Sequence, residues 1–133
     1  MPYVGQCLCG AVSYSISGEI TDVIYCHCAM CQKLSGSAFI AYGSVLHQDI
    51  HIIGRVNIQT FNATSGAQRK FCQCCGSTLF WQDEGDYGKR YLCVALGTLD
   101  SGFDPQDWQH YYTENKASWF AIQDGHIQHR TKP

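Results

Sequence analysis

The sequence predicts a mainly β protein with antiparallel sheets, one or two short helical turns and bound metal. Three observations predict this class. Short apolar segments alternate with polar residues in steps of two, which is the period of a half-buried strand. Turns that contain Gly, Asn or Asp separate these segments, as in antiparallel sheets. Finally, 9 cysteines fall in short clusters with the spacing of metal ligands.

The predicted strands cover residues 12–16, 37–42, 55–59, 91–96, 110–112 and 119–122. In the first, Val12, Tyr14 and Ile16 alternate with serines. The second is rich in aromatic and branched residues, and the third again alternates with period two. Residues 91–96 are continuously apolar, as in a strand that is buried on both faces. The last two are short apolar segments.

Helical signal is weak outside one segment. Residues 29–34 are predicted to form a short helix that ends at Ser35-Gly36, where the glycine can adopt the left-handed cap conformation. A second short turn is predicted after Pro105, and residues 83–89 are predicted to form a hairpin loop.

The length indicates one domain that spans residues 1–133. Of the 133 residues, 45% are hydrophobic, which suffices for one core. No apolar run approaches the ~20 residues of a membrane-spanning helix, and no signal peptide is visible. We therefore expect a cytoplasmic protein without a membrane partner. A net charge of −2 disfavours nucleic acid, whose phosphates require a basic face.

The first predicted metal site combines Cys7-x-Cys9 with Cys72-x2-Cys75. Two cysteines three residues apart can direct both sulfurs at one ion from a tight turn, and the glycine after Cys75 supplies the positive φ of such a turn. Cys7 and Cys9 project to the same side of an extended segment. Four thiolates complete a tetrahedral site, so we expect a structural zinc that contributes to the folding free energy.

The second predicted metal site is formed by Cys26, Cys28 and Cys31, three cysteines within six residues. The side chains of Cys26 and Cys28 project to the same side of an extended segment, and that of Cys31 projects toward them from the first helical turn. Three thiolates leave the fourth position of a zinc ion open, which is the arrangement of a catalytic zinc. Alternatively, a fourth protein ligand closes this site, with His27, Cys74 or a carboxylate as the donor.

Two other interpretations of the cysteines remain open. An exported protein would form four disulfides and leave one thiol free, whereas a protein with a single zinc would bury the other thiols. The spacing favours two zinc ions per chain, of which the three-ligand site is the easier to lose or oxidise. Cys93 stands alone in an apolar segment and is interpreted as a small core residue.

These motifs resemble those of the glutathione-dependent formaldehyde-activating (GFA) family, which includes the centromere protein V domain. The matching segments lie between about Gly5 and Trp119, in the family's order: GQCLCGAVSYSISGE, YCHCAMCQKLSGSAF, RKFCQCCGSTLFW, LGTLD and HYYTENKASW. Two positions depart from the family pattern. Cys74 lies where the motif needs no cysteine, and Gln32 stands where many relatives carry arginine.

The resemblance implies an Mss4-like fold of antiparallel sheets around zinc. It assigns the first cysteine set to a structural zinc and the second to a catalytic-type zinc. It also implies carbon–sulfur lyase chemistry on glutathione adducts, such as the formation or breakdown of S-hydroxymethylglutathione from formaldehyde and glutathione.

The open site suggests how such chemistry proceeds. A thiol bound to zinc as the thiolate stays nucleophilic at neutral pH and can add to a small aldehyde or another electrophile, while a nearby donor protonates the alkoxide. We expect His27 or Ser35 to assist this proton transfer because both lie beside the ligands in sequence. The competing interpretation is that His27 points away from the metal, as alternation in an extended segment requires.

Glutathione carries two carboxylates, so its binding rim needs cations or amides. The candidates for this rim are Lys33, Arg69, Lys70 and Lys116.

Two functions compete with the lyase. A non-catalytic zinc-binding module that binds protein is compatible with an Mss4-like fold, since fold does not fix function. A chromatin binder is suggested only by the centromere relative, and the net charge of −2 disfavours it.

Overall fold

The computed structural model describes residues 2–133, which form two compact units. The first unit comprises residues 2–21 and 43–103, and the second comprises Asp22–Tyr42 and Asp104–Pro133. The single-domain organisation stays a prediction. Within residues 2–133, neither α-helix has the length and apolar character needed to traverse a bilayer.

The elements follow one another along the chain as short strands with two short helices. The strands are β1 (Tyr3–Gln6), β2 (Ser13–Ile16), β3 (Thr21–Cys26), β4 (Ile40–Leu46), β5 (Ile50–Ile53), β6 (Ile58–Asn62), β7 (Gln68–Cys72), β8 (Thr78–Gln82), β9 (Tyr91–Ala95) and β10 (Gln109–Tyr111). The helices are α1 (Ala29–Ser35) and α2 (Asp86–Arg90). The predicted mainly β class is therefore confirmed.

The first unit buries its core between two antiparallel groups of strands. One group has the order β1-β2-β5, and the other includes the order β9-β8-β7-β6. Tyr14 of β2 meets Phe80 of β8 edge to face, with ring centroids 5.6 Å apart. Cys7 and Cys72 belong to the same buried cluster. Two of the predicted metal ligands are therefore part of the hydrophobic core.

The second unit is organised by β3, β10 and α1. The two strands pair in parallel, with Tyr111 opposite Cys26 and His110 opposite Tyr25. This pair departs from the antiparallel arrangement predicted for the sheets. Helix α1 begins directly after Cys28 and ends at Gly36, which has a φ of 66°. The predicted helix and its left-handed glycine cap are thus confirmed.

Several of the predicted strands are confirmed, and their bounds differ by a few residues. Strands β2, β9 and β10 correspond to the predictions for residues 12–16, 91–96 and 110–112. Strand β9 is buried at four of its five positions, as its continuous apolar pattern indicates. The segment predicted at residues 37–42 becomes β4, which starts later, at Ile40, and continues to Leu46.

Other sequence predictions are wrong, each for a local reason. The strand at 55–59 starts as one turn of 3-10 helix, Arg55–Asn57, because Gly54 adopts a φ of 87° and turns the chain. The loop at 83–89 joins two antiparallel strands as predicted, but it contains α2. No helical turn follows Pro105, where the described chain has only a bend at residue 106.

The predicted strand at 119–122 is also wrong, because this segment turns instead of extending. The Lys116 ammonium donates hydrogen bonds to the carbonyls of Ala117 and Phe120, at 3.1 and 2.5 Å. The Phe120 N–H also bonds to the Ala117 carbonyl, at 3.2 Å. These bonds use the backbone groups that a strand would offer to a neighbour.

Gly54 provides a test of the first unit's packing. A Cβ at this position would lie 1.9 Å from the Ala11 carbonyl oxygen, and the φ of 87° disfavours any other residue. We expect Gly54→Ala to lower the free energy of unfolding by about 2–4 kcal/mol, measured by urea denaturation of the metal-loaded protein. Gly97→Ala is the control, since a Cβ there meets nothing within 4 Å. Equal stabilities of the two variants would contradict the prediction.

Candidate metal centres

Four cysteines of the first unit bring their sulfurs together at one point. The four Sγ atoms of Cys7, Cys9, Cys72 and Cys75 all lie within 4.8 Å of one another. The Sγ–Sγ distances are 3.7 Å between Cys7 and Cys9 and 3.8 Å between Cys9 and Cys72. All nine cysteines of the chain are free thiols. The predicted first ligand set is therefore assembled, without disulfides, in a cluster that can hold a metal ion.

Two hydrogen-bonded turns present these sulfurs. In one, the Cys7 N–H bonds to the Val12 carbonyl at 2.9 Å, and Gly10 closes the turn with a φ of 80°. In the other, the Gly76 N–H bonds to the Cys72 carbonyl at 2.8 Å, and the φ of Gly76 is also 80°. Both turns need the positive φ that glycine adopts without steric cost.

The electrostatics of the four-cysteine cluster favour a bound cation. The hydroxyl and N–H of Ser77, with the Cys9 N–H, lower the pKa of Cys75 to about 5. The Ala11 N–H would lower the pKa of Cys9, but desolvation and the neighbouring sulfurs raise it to about 12. Neighbouring thiolates thus oppose one another's ionisation. A divalent cation would remove that repulsion and allow all four thiols to ionise.

Three cysteines of the second unit form a smaller cluster. Cys26 is the last residue of β3, Cys28 is the N-cap of α1, and Cys31 lies in the first turn of that helix. Their Sγ atoms all lie within 4.8 Å of one another. The sulfurs of Cys28 and Cys31, together with burial, raise the pKa of Cys26. The second predicted ligand set is therefore also assembled.

The second cluster has three protein ligand atoms rather than four. Among residues 2–133, no histidine, carboxylate or further cysteine joins these sulfurs within 4.8 Å. Cys28 is half-buried, whereas Cys26 and Cys31 are buried. A metal ion held by these sulfurs would have three protein ligands, one fewer than a tetrahedral site requires.

Two side chains of helix α1, Gln32 and Ser35, form hydrogen bonds with the backbone around the three-cysteine cluster. The Gln32 side-chain amide donates to the His27 carbonyl at 2.8 Å and to the Asn115 carbonyl at 2.7 Å. The Ser35 hydroxyl donates to the Cys31 carbonyl at 2.8 Å and accepts from the Ser37 N–H at 3.1 Å. The amide and the hydroxyl thus hold the backbone around the cluster.

His27, the other predicted proton carrier, is fully buried. Its Nε2 lies 2.8 Å from Nδ1 of His110. Its ring packs against the rings of Phe39 and Phe120, with centroids 5.2 and 6.2 Å apart. Burial, followed by the charges of His110 and Lys116, lowers the pKa of His27 to about 4. The ring is therefore neutral at physiological pH.

Tyr112 lies near the three-cysteine cluster and was not predicted as a site residue. It follows Tyr111, which pairs with Cys26, and it has a left-handed backbone with a φ of 60°. Burial, and then the charges of the three clustered cysteines, raise the pKa of its phenol. Only the parallel pairing of β10 with β3 brings it there, and no local sequence pattern indicates that pairing.

The predicted glutathione rim is divided between the two units. Lys33 is exposed in the last turn of α1, and Lys116 is half-buried with its ammonium on two backbone carbonyls. Arg69 and Lys70 belong to β7 of the first unit. Arg69 is only 7% exposed. Burial, and then the charge of Arg55, lower the pKa of Lys70.

The family model described as glutathione-dependent formaldehyde-activating enzyme matches residues 2–115. The chain belongs to the GFA family. A protein of Schizosaccharomyces pombe named as an uncharacterised lyase is 32% identical over 129 residues, which are 92% of this GFA chain and 93% of that protein. A protein of Halomonas elongata, provisionally named a glutathione-dependent formaldehyde-activating enzyme, is 28% identical over 127 residues, with 90% and 80% covered.

A solved structure shares the fold of this GFA protein. The crystal structure of a Rhodobacter sphaeroides protein superposes with a TM-score of 0.61 at 22% identity, and the match covers 77% of this chain and 92% of that one. The resemblance identified from the cysteine motifs is thus confirmed for the family and for the fold.

Cys9 and Cys74 provide a matched test of the four-cysteine cluster. Cys9 is one of the four clustered ligands, whereas the Cys74 sulfur lies 3.9 Å from the Asn57 Oδ1 and outside the cluster. We expect Cys9→Ser to lose one metal ion per chain and several kcal/mol of stability, because structural metal binding contributes folding free energy. Cys74→Ser should retain both the metal content and the stability of the wild-type protein. Elemental analysis and urea denaturation measure these effects, and equal metal loss in both variants would refute the assignment.

Proposed function

We propose that this GFA protein holds two zinc ions and uses the three-cysteine site to join a small thiol, such as glutathione, to a small aldehyde, or to reverse that reaction. One observation carries the proposal. The four-cysteine cluster offers a complete tetrahedral ligand set, whereas the three-cysteine cluster offers one ligand fewer. Closed zinc sites are structural, and sites with an open position are catalytic.

The donor set and spacing of the four-cysteine cluster fit zinc. A tetrahedron of thiolates at ~2.3 Å from the ion has sulfurs ~3.8 Å apart. The distances from Cys9 to Cys7 and to Cys72 are 3.7 and 3.8 Å. A tetrahedral set of four thiolates is typical of zinc or of iron–sulfur sites, and closed sets of this kind are typical of structural zinc.

When bound at the three-cysteine site, zinc would supply a Lewis acid that lowers the pKa of an added thiol. The overall reaction is balanced without a redox partner. The thiol loses its proton, its sulfur forms a bond with the carbonyl carbon while the carbon–oxygen π bond opens, and the carbonyl oxygen gains a proton. The reverse reaction cleaves the same carbon–sulfur bond and releases thiol and aldehyde.

We assign the donor of that proton to Tyr112. Its phenol has a raised pKa and therefore carries its proton at neutral pH. The charges of all three cysteines act on this phenol, and we expect it to reach an oxygen that is bound beside them. His27 and Ser35 stay predictions as proton carriers. The Ser35 hydroxyl already bonds to the Cys31 carbonyl, and His27 to His110, so Tyr112 is the better placed.

Glutathione is proposed as the thiol because of the family and the names of its relatives. Its carboxylates need cations near the three-cysteine site. Lys33 and Lys116 belong to the same unit as this site, and Lys33 is exposed in α1. We propose Lys33 as the main contact and Lys116 as a support of the adjoining turn. Arg69 and Lys70 stay predictions as rim residues.

The binding of a thiol can be tested with cobalt in place of zinc. Addition of glutathione should change the visible spectrum of the cobalt-loaded protein, because a fourth sulfur would join the three-cysteine site. In Cys28→Ser the change should disappear, while the spectrum of the four-cysteine site is retained. A wild-type spectrum unaffected by glutathione and by other small thiols would refute the catalytic proposal and favour the non-catalytic protein-binding module.

Tyr112 is tested by Tyr112→Phe. We expect kcat/KM for hemithioacetal formation to fall about 100-fold, the typical contribution of a general acid, while the glutathione-induced cobalt spectrum is retained. Tyr111→Phe is the matched control, because this neighbour packs its ring on His129 and should leave the rate unchanged. Equal rates of wild type and Tyr112→Phe would remove Tyr112 from the mechanism.

A further inference from the structure

A chain of three side chains leads from a carboxylate to the segment between two cysteines of the second unit. Nε2 of His110 lies 2.8 Å from Oδ2 of Asp124, and Nδ1 of His110 lies 2.8 Å from Nε2 of His27. Both histidines are almost completely buried, at 2% and 0% exposure. Such polar groups are costly to bury unless they are hydrogen-bonded, so the three residues depend on one another.

The carboxylate end of this chain is held by further donors. The Trp108 indole N–H donates to Asp124 Oδ2 at 2.9 Å, and the His126 N–H donates to its Oδ1 at 3.0 Å. Burial would raise the pKa of Asp124, but these donors and His110 lower it well below its usual range. Asp124 is therefore a fixed acceptor that requires a proton on Nε2 of His110.

The direction of the hydrogen bonds fixes both rings. Nε2 of His110 donates to Asp124, which leaves its Nδ1 to share one proton with Nε2 of His27. Neither ring can turn over without losing a buried hydrogen bond. The rings of Phe39 and Phe120 also pack on His27 and limit its movement.

His27 transmits this restraint to the cysteines on either side of it. Its N–H bonds to the Tyr111 carbonyl at 2.9 Å, and its carbonyl accepts from Gln32 at 2.8 Å. Because His110, Phe39 and Phe120 also hold its ring, both the backbone and the side chain of His27 are restrained. Cys26 and Cys28 are its covalent neighbours, so their separation and direction are set by the same contacts.

We propose that His110 and Asp124 are positioning residues that act through His27 to hold Cys26 and Cys28 in the geometry that binds the metal ion. This inference rests on the proposed metal binding by the three-cysteine cluster but does not require the proposed reaction. It explains why a histidine pair is buried beside a cluster that it does not join. Contacts that orient ligands without touching the ion typically contribute about 10–100-fold to metal affinity.

The test follows metal release from the loaded protein. An excess of a coloured chelator withdraws the zinc, and its absorbance follows the release over time. The kinetic phase that is missing in Cys28→Ser is assigned to the three-cysteine site. We expect His110→Ala and Asp124→Ala to accelerate this phase at least tenfold. The phase of the four-cysteine site should not change. In the cobalt-loaded variants, the bands of the three-cysteine site should shift, which a loss of global stability alone would not cause.

The control variant is His126→Ala. Its ring bonds to Asp107 at 3.0 Å and stacks on Trp108, and its backbone N–H contacts Asp124. Because the variant keeps the hydrogen bonds of Asp124, His110 and His27 but removes this stacking, release should stay within about twofold of wild type. Asp107→Ala, which changes an exposed carboxylate outside the chain of three residues, should match wild type. Asp124→Asn keeps one oxygen that can accept from His110, and it should release metal at a rate between those of wild type and Asp124→Ala.

Wild-type release rates in both alanine variants would overturn the proposal. If the alanine variants lose both metal phases because they do not fold, Asp124→Asn decides. A selective acceleration of the three-cysteine phase in Asp124→Asn supports the proposal, and an unchanged phase overturns it. Failure of the proposed reaction has a different signature, since wild-type protein would then bind two metal ions without making or breaking carbon–sulfur bonds.

Discussion

The first unit depends on the meeting of four sulfurs from two distant parts of the chain. The turn after β1 supplies Cys7 and Cys9, and the turn after β7 supplies Cys72 and Cys75. Hydrogen bonds and glycines with positive φ shape each turn, but the sulfurs repel one another once they ionise. A cation bound between them would join the two turns, and because Cys7 and Cys72 belong to the buried core, it would also join them to the packing between the strands.

In the second unit, the cysteines of the cluster are positioned mainly by contacts of the residues around them. Its three sulfurs come from one short segment, so no distant part of the chain is closed by them. The neighbouring contacts are instead hydrogen bonds and rings: Gln32 holds two backbone carbonyls, and the buried histidines hold the residue between Cys26 and Cys28. A site with three protein ligands would gain less metal binding energy than one with four, so it would depend more on contacts that position its ligands in advance.

The cysteine motifs of both clusters could be predicted from sequence because the spacing within each motif is a local property, and the pairing of the two distant motifs followed from the four ligands that a tetrahedral site needs. A Cys-x2-Cys turn and a cysteine at a helix N-cap have the same geometry in many folds. His110, Asp124 and Tyr112 could not be found in this way, since they reach the second unit's site through the parallel pairing of β10 with β3. Residues 119–122 have the composition of a strand, but Lys116 occupies the carbonyls that a strand would need. Long-range pairing and a single half-buried ammonium thus account for much of what the patterns missed.

The uneven burial of the four-cysteine cluster has a consequence for the exchange of its ion. Cys7 and Cys72 are sealed in the interior, whereas Cys9 is exposed and Cys75 is half-buried. A competing ligand or an oxidant would thus reach the sulfurs of Cys9 and Cys75 first. These two sulfurs contribute less to the packed interior than those of Cys7 and Cys72. A bound ion would therefore lose its contacts with Cys9 and Cys75 before those with Cys7 and Cys72.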